Sequence, residues 1–354
     1  MAYTTINKST DHFNTKLYTG DGNNSKAITG VGFQPDWIWI KKRSGTASHM
    51  ISDSVRGVTK TIYTESTSAE LTSDQYGWVS AFGTDGFTTS NTNVGAINEN
   101  GGTYVSWNWK GGGSGSTNND GAVTSTVSAN TTSGFSIVSY TGTGSTTTVG
   151  HGLGAKPSVV IYKQRNTTNA WRMMTDVSGT LKRLYLNATD AEASIIDSST
   201  APTSTVLNIG TGSEVNTSSG TYIAYCFAEK TGYSKFGTYA GNNNTDGTFV
   251  YTGFKPAWIL AKAASGSQTP QNQSWPLWDN KRSSTGGFNE NSYKLYPNAT
   301  DAEATSGIAQ VDILSNGFKF RNSTHQSNST NTYFYMAFAE APLVGSNNIP
   351  ATAR

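Results

Sequence analysis

A tyrosine, a proline seventeen residues later and a lysine six residues after that recur three times, as Tyr18, Pro35 and Lys41, then Tyr140, Pro157 and Lys163, then Tyr239, Pro256 and Lys262. Such coincidences of spacing point to common descent of three units, so the fold has to house the same element order three times along one chain. Later landmarks keep that order. An aspartate follows each proline segment, at Asp53 in HMISD, Asp176 in WRMMTD and Asp279 in WPLWD. The seven residues NATDAEA come next, intact at 187–193 and 298–304 and degenerate as TESTSAE at 64–70. Each unit closes on an aromatic run: TYVSWNWK, TYIAYCFAEK or TYFYMAFAE.

The closing runs have a period of two. Val105, Trp107 and Trp109 alternate with Ser106 and Asn108, Ile223, Tyr225 and Phe227 with Ala224 and Cys226, and Phe334, Met336 and Phe338 with Tyr335 and Ala337. That alternation predicts strands with one large apolar face in a core. The proline segments DWIWI, SVVIY and AWILA are apolar on both sides, as expected of strands buried between two layers, with the proline at the start where no ladder donor is needed. Gly, Asn and Asp turns such as TDGF at 84–87 and SNGF at 315–318 separate the strands, and helical periodicity is nearly absent. The expected fold is all-β, with three tandem β-sandwich repeats of jelly-roll or lectin-like topology. The expected divisions are an N-terminal arm (1–16), repeat one (17–112), a Gly/Ser/Asn-rich linker (113–130), repeat two (131–231), repeat three (232–343) and a C-terminal tail (344–354).

Composition removes several function classes. Charged residues are 14% of the chain and the net charge is +2, with Lys and Arg scattered, so no field steers the protein to nucleic acid or anionic lipid. Nine Trp and seventeen Tyr supply the apolar area that a disordered chain lacks. The lone Cys226 allows neither an internal disulfide nor a cysteine-based zinc site. No window reaches the ~18 apolar residues of a membrane span, and the leading MAYTTINKSTDHFNTKLYTG has no apolar run of signal-peptide length. Neither membrane insertion nor signal-directed export is expected.

The chemical candidates are few. Asp190 with Glu192, and Asp301 with Glu303, have the composition of a glycosidase pair, which needs two acids across a sugar. Their recurrence in a repeated segment favours a turn or short helix in which Asp190 and Asp301 satisfy backbone donors. Calcium is the cofactor left open, because Asp, Asn and carbonyl oxygens in loops such as STNNDG (116–121) and GNNNTDG (241–247) are suitable hard ligands, although neither has the EF-hand spacing. His12, His49, His151 and His325 share no repeated position and form no zinc motif. GGGSGS lacks the context of a nucleophile elbow or phosphate loop and reads as linker. Most tryptophans lie on core-patterned strands. Trp78, in DQYGWVS, and Trp275 with Trp278, in QNQSWPLWDN, sit beside polar loops and are the candidates for a ligand or partner surface.

The pattern YTGDGNNSKAITGVGFQPDWIWIKKRS … NENGGTYVSWNWK, preceded by MAYTTINKSTDHFNTK, resembles the repeated modules of virion structural proteins of tailed bacteriophages, especially those infecting marine bacteria and cyanobacteria. The likeness runs through all three copies, although GLGAKPSVV in the second lacks the aromatic before the proline and the Trp after it. It implies a non-enzymatic tail-fibre, tail-appendage or capsid-attached subunit. Such a subunit would be assembled in the host cytoplasm, form a homo-oligomer with other virion proteins around it, and meet host-surface polysaccharide. The leading polar residues would then serve as a docking arm. A cellular carbohydrate-binding or adhesin protein, and a glycan depolymerase acting through Glu192 or Glu303, are the alternatives.

Overall fold

The large and small faces of the closing strands are both buried, and this organises the whole molecule. In the computed structural model, which describes residues 4–90, 95–265, 274–282, 289–305, 310–324 and 326–344, the closing strands span Thr103–Trp109, Thr221–Phe227 and Thr332–Pro342. Each is flanked by two antiparallel partners. A leading strand (Phe13–Thr19, Phe135–Thr141 or Ser234–Ala240) lies on one side and the proline strand (Trp37–Lys42, Val159–Gln164 or Phe254–Ala263) on the other. The register is the same each time: Phe13 and Trp37 both face Trp109, Phe135 and Val159 both face Phe227, and Ser234 and Trp258 both face Phe338. The aspartate strand follows outside the proline strand, as Met50–Asp53, Arg172–Thr175 or Leu277–Asp279.

Three main sheets therefore share one strand order, and each turns the same face to a common centre. Trp37, Trp107 and Trp109 of unit one meet Ile161, Tyr225 and Phe227 of unit two and Trp258, Met336 and Phe338 of unit three in a single buried cluster. Trp37 lies 4.8 Å from Tyr225, and Trp109 lies 5.6 Å edge-on to Trp258. The opposite faces carry Tyr104 in unit one, Tyr222, Ala224 and Cys226 in unit two, and Tyr333, Tyr335 and Ala337 in unit three; each packs on a second, smaller sheet to form a separate sandwich core. Those smaller sheets include Gly86–Ser90, Val206–Ile209 and Gly317–Phe320. The protein is all-β, with antiparallel sheets packed as sandwiches, and its α-helix among the described residues is the single turn Ser213–Asn216. The alternation in the closing strands thus separates a shared core from a private one, not core from solvent: even Ser106 and Asn108 are buried, and Asn108 Nδ2 donates to the Asn14 and Ser106 carbonyls.

The repeated tyrosine has a direct physical reason. Tyr18 stacks on Tyr104 at 5.0 Å, Tyr140 on Tyr222 at 5.2 Å and Tyr239 on Tyr333 at 5.0 Å, across the leading and closing strands. Their hydroxyls donate to the Ile97, Val215 and Ser327 carbonyls, so each pair ties a strand to the loop before the closing strand and satisfies its own buried oxygen. Pro35 and Pro157 precede their strands as expected, whereas Pro256 lies inside the longer third strand, where the register shifts on both sides of it and frees the ladder from a missing donor.

Two expected divisions take a different form. Of the expected docking arm, residues 4–16 are packed on the body. Ile6 and Phe13 enter the shared core, Thr4 Oγ1 donates to the Thr231 carbonyl at 2.6 Å, and the leading strand begins at Phe13. Apolar side chains in a polar-looking segment explain that docking. The expected linker 113–130 contains two strands, Ser116–Asn118 and Ser125–Asn130, which extend the second unit's main sheet. The expected tail 344–354 lies, apart from Val344, outside the described residues.

Because no main sheet can cover its large face alone, the units should unfold together. Trp37→Ala removes a ring that touches Phe135, Tyr225 and Phe227 of unit two, and should cost about 3–5 kcal/mol. Hydrogen exchange of unit-two closing-strand amides should report that loss to the same extent as unit-one amides; protection surviving in unit two alone would contradict a shared core.

Candidate functional site

The chemistry-bearing residues gather where the NATDAEA segment of one unit crosses to the next unit. Its asparagine fixes the segment to its own sheet: Asn187 Oδ1 accepts from Trp171 N at 2.7 Å, and Asn298 Oδ1 accepts from Trp275 N at 3.0 Å. Glu65 Oε2 takes the His49 amide at 3.0 Å in the degenerate copy. The segment is an irregular turn that ends in a two-residue strand in each unit, Leu71–Thr72, Ala193–Ser194 and Ala304–Thr305.

The crossings are cyclic. The repeated lysine of each proline strand donates to the threonine carbonyl of the preceding unit's segment: Lys163 Nζ to Thr67 O at 3.2 Å, Lys262 Nζ to Thr189 O at 3.0 Å, and Lys41 Nζ to Thr300 O at 3.2 Å. The segment's glutamate amide then donates to the next unit's backbone, Glu70 to Arg165 O, Glu192 to Ala264 O and Glu303 to Arg43 O, at 2.8, 3.1 and 3.0 Å. Trp171 Nε1 reaches back to Tyr63 O at 2.8 Å and Trp275 Nε1 to Tyr185 O at 3.1 Å, while in unit one the buried His49 stands beside the Tyr296 backbone. One, two and three thus close back on one as a ring.

Two of the three seams add a buried ionic clasp. At the one-to-two seam Asp53 accepts from the Val55 and Arg56 amides, pairs with Arg56 Nε at 2.5 Å and takes the Tyr225 hydroxyl of unit two at 2.7 Å. Arg56 continues to Glu70, which takes a two-pronged bond from Arg165 of unit two at 2.9 and 3.0 Å. At the three-to-one seam the same parts return: Asp279 with Arg282 at 2.5 Å and the Trp107 indole of unit one at 2.8 Å, then Arg282 to Glu303, then Glu303 to Arg43 of unit one at 2.8 Å. The two-to-three seam lacks all of this. Gly179 stands three residues after Asp176, Met336 replaces the donor, and Ala264 replaces the second arginine.

These differences set the electrostatics. Burial alone would lower Arg56, but Asp53, the Tyr225 hydroxyl and Glu70 outweigh it and hold the guanidinium above its ordinary value. Burial raises Glu70, and the Arg165 and Arg56 guanidiniums overcome it, leaving the carboxyl below its usual range; Glu192, with no arginine opposite, is raised by its burial. Burial also brings Lys41, Lys163 and Lys262 down to about 8. An ion pair of this kind adds little net stability over an apolar substitute but is costly to break, so its main effect is to specify which faces meet.

The expected site residues separate on this frame. Asp190 and Asp301 are exposed, beside Lys262 and Lys41 of the next unit; the capping oxygen comes from Asn187 and Asn298 instead. Trp275 lies in the shared core and Trp278 in the private core of unit three, each 1% exposed or less, so neither lines a surface; Trp78, at the start of Trp78–Gly83, is half-buried. In the Asn-rich loops, Asn242 Oδ1 accepts from Asn244 N and Asn328 Nδ2, and Asn118 Oδ1 from Asp120 N. Among the described residues no group of three or more His, Cys, Asp or Glu is placed to hold a metal ion, and His325 lies outside those residues. Sequence reasoning missed Arg56, Arg282 and the lysines as seam residues. The signal was present in Asp53-Ser-Val-Arg56 and Asp279-Asn-Lys-Arg282, and in the lysine spacing itself.

Arg56→Met leaves Asp53 buried without its cation and Glu70 with Arg165 alone, and should cost about 3–5 kcal/mol in denaturant unfolding. The lysines give a pH signature. Unfolded lysines titrate near 10.4, so between about 8 and 10.5 the unfolded chain binds more protons than the folded one and stability rises with pH. Above about 10 the trend reverses, because burial holds Tyr140, Tyr225 and Tyr239 well above their ordinary value and the unfolded chain releases their protons first. Urea midpoints measured across this range should climb and then fall, and Lys163→Met should flatten the climb.

No curated protein and no solved structure matches the chain. A family model described as Domain of unknown function (DUF7483) matches residues 8–342, a span that takes in all three units, their seams and the shared core. The chain belongs to the DUF7483 family.

Proposed function

We propose that the protein is a non-enzymatic structural subunit of a bacteriophage virion, part of a tail fibre, tail appendage or capsid-attached fibre, with other virion proteins, further copies of itself and host-surface polysaccharide as partners. The observation that carries this reading is the engagement of the repeated polar residues in holding three units in a ring. Glu70 and Glu303 are locked into arginine clasps, and the amide of Glu192 is bonded across its seam, so the glutamates of the repeated segment are tied into the seams. The one thiol, Cys226, is fully buried, and burial pushes it up to about 12, which suits packing and not nucleophilic attack. A ring of three β-sandwiches built from one chain presents a broad rigid body, as an appendage requires.

Mass spectrometry of purified particles from the phage encoding the chain should find it in stoichiometric amount, and cryo-EM should locate it outside the shell or on the tail. Absence from particles would overturn the proposal. Incubation with host polysaccharide should leave chain length unchanged; depolymerisation abolished by Glu192→Gln would establish the enzyme reading instead.

A further inference from the structure

Where the three-to-one seam reaches the surface it opens a cavity of about 310 Å³. Ala47, Ser48, Tyr63, Tyr76 and Ala96 of unit one line it together with Thr300 of unit three, so the site exists only in the closed ring. The contact that joins its two walls is the Ala47 amide, which donates to the Thr300 carbonyl at 2.9 Å. The same carbonyl holds Lys41 from behind.

Tyr76 is 49% exposed, unusual for an aromatic in a chain that buries nearly all of its Trp and Phe. Its loop is tightly specified. Ala96 N donates to Tyr76 O at 3.3 Å, and Gly77 N to Asp74 O at 3.0 Å. Gly77 has φ +104°, and a Cβ there would come within 2.1 Å of Ile97 Cγ2. Gly95, at φ +82°, lies flat against the tyrosine, where a Cβ would sit 3.0 Å from Tyr76 Cβ. Two glycines at positive φ, one of them with no room for a Cβ, therefore shape the loop that carries the exposed ring to the cavity mouth. On the facing side the Tyr63 hydroxyl is oriented by a hydrogen bond to Asp74.

The lining defines the ligand. It combines one exposed aromatic ring, the methyls of Ala47, Ala96 and Thr300, and the hydroxyls of Ser48, Tyr63 and Thr300. The nearby charges are already engaged: Lys41 on carbonyls, Glu65 on the His49 amide, and Asp74 on Tyr63. The Tyr63 and Ser48 hydroxyls are held by Asp74 and Glu65 and keep lone pairs that can accept from a guest. A ring with one C–H face for stacking and a rim of hydroxyls matches that surface, whereas an anion finds no free cation among the described residues. At the corresponding place in the one-to-two seam, Tyr185 donates to Glu214 with Arg172 alongside, a charged surface of different character. We infer that the three-to-one seam is a binding site for a neutral saccharide, stacked on Tyr76. This deepens the host-polysaccharide part of the proposed function and rests on it.

The test is a glycan array probed with the full chain, followed by titration calorimetry with the neutral oligosaccharide retained most strongly. Tyr76→Ala should weaken binding by about tenfold or more, while Tyr76→Phe stays within about threefold of the parent. Ala47→Phe, which fills the cavity and keeps the backbone bond to Thr300, should abolish binding without lowering the unfolding midpoint. Tyr251→Ala, which removes an equally exposed aromatic on another unit, should have no effect. Retention of no neutral glycan, or binding unmoved by both Tyr76→Ala and Ala47→Phe, overturns the site. Either result leaves the virion reading to be decided by the composition of particles, and a chain that binds glycan through Tyr76 yet is missing from particles overturns that reading while keeping the site.

Discussion

Everything else in this fold depends on the need of three sheets to cover one another. Each main sheet has a face of large side chains, and the smaller sheet of its own unit packs on the other face. A single unit would expose tryptophans, phenylalanines and isoleucines to water, an apolar area far beyond what a monomeric surface tolerates. Closing three units on one axis removes all three faces from water at once, as a trimeric assembly would, but with the partners at fixed effective concentration on one chain.

A shared apolar core is poor at specifying alignment, since dispersion and hydrophobic attraction have little direction. The seams supply the direction. A buried lysine that must find two carbonyls, one in its own strand and one in the neighbouring unit, tolerates little sliding. The Asp–Arg–Glu–Arg clasps add a geometric lock at two seams. The buried amines carry a solvation cost that their hydrogen bonds offset only in part, which is why burial leaves all three at about 8.

Much of this was legible in the sequence, and the part that was not has a physical cause. Period-two alternation located the closing strands, and unbroken apolar runs located the proline strands between two layers. The same alternation does not distinguish solvent from a second core, so it carried no sign that Ser106 and Asn108 are buried. The recurrence of NATDAEA signalled a structural element, but its partner lies in the next unit, 96, 73 or 259 residues away, and no local pattern names it. Trp275 and Trp278 read as surface candidates because their neighbours are polar; Trp275 is drawn inward by the Tyr185 carbonyl across a seam. The cavity beside Tyr76 had no sequence signal beyond two glycines, whose meaning depends on what stands opposite them.

The uneven distribution of clasps follows from chain connectivity. Units two and three are joined by a tight turn in which Tyr233 N and Ser234 N both donate to the Lys230 carbonyl, while the Tyr233 ring enters the shared core; the covalent chain itself fixes that seam. Met336 and Ala264 at that seam replace polar partners with apolar ones, a change that costs little where alignment is already set. Units one and two are linked through the glycine-rich 111–115, and units three and one by no continuous chain at all. Those are the seams with Asp53–Arg56–Glu70–Arg165 and Asp279–Arg282–Glu303–Arg43. The leading segment adds a further tie, with Ile6 in the shared core and Thr4 bonded to Thr231 at the turn between units two and three. Directional electrostatics thus appears where loop entropy leaves the alignment free, and it is absent where a short turn has removed that freedom.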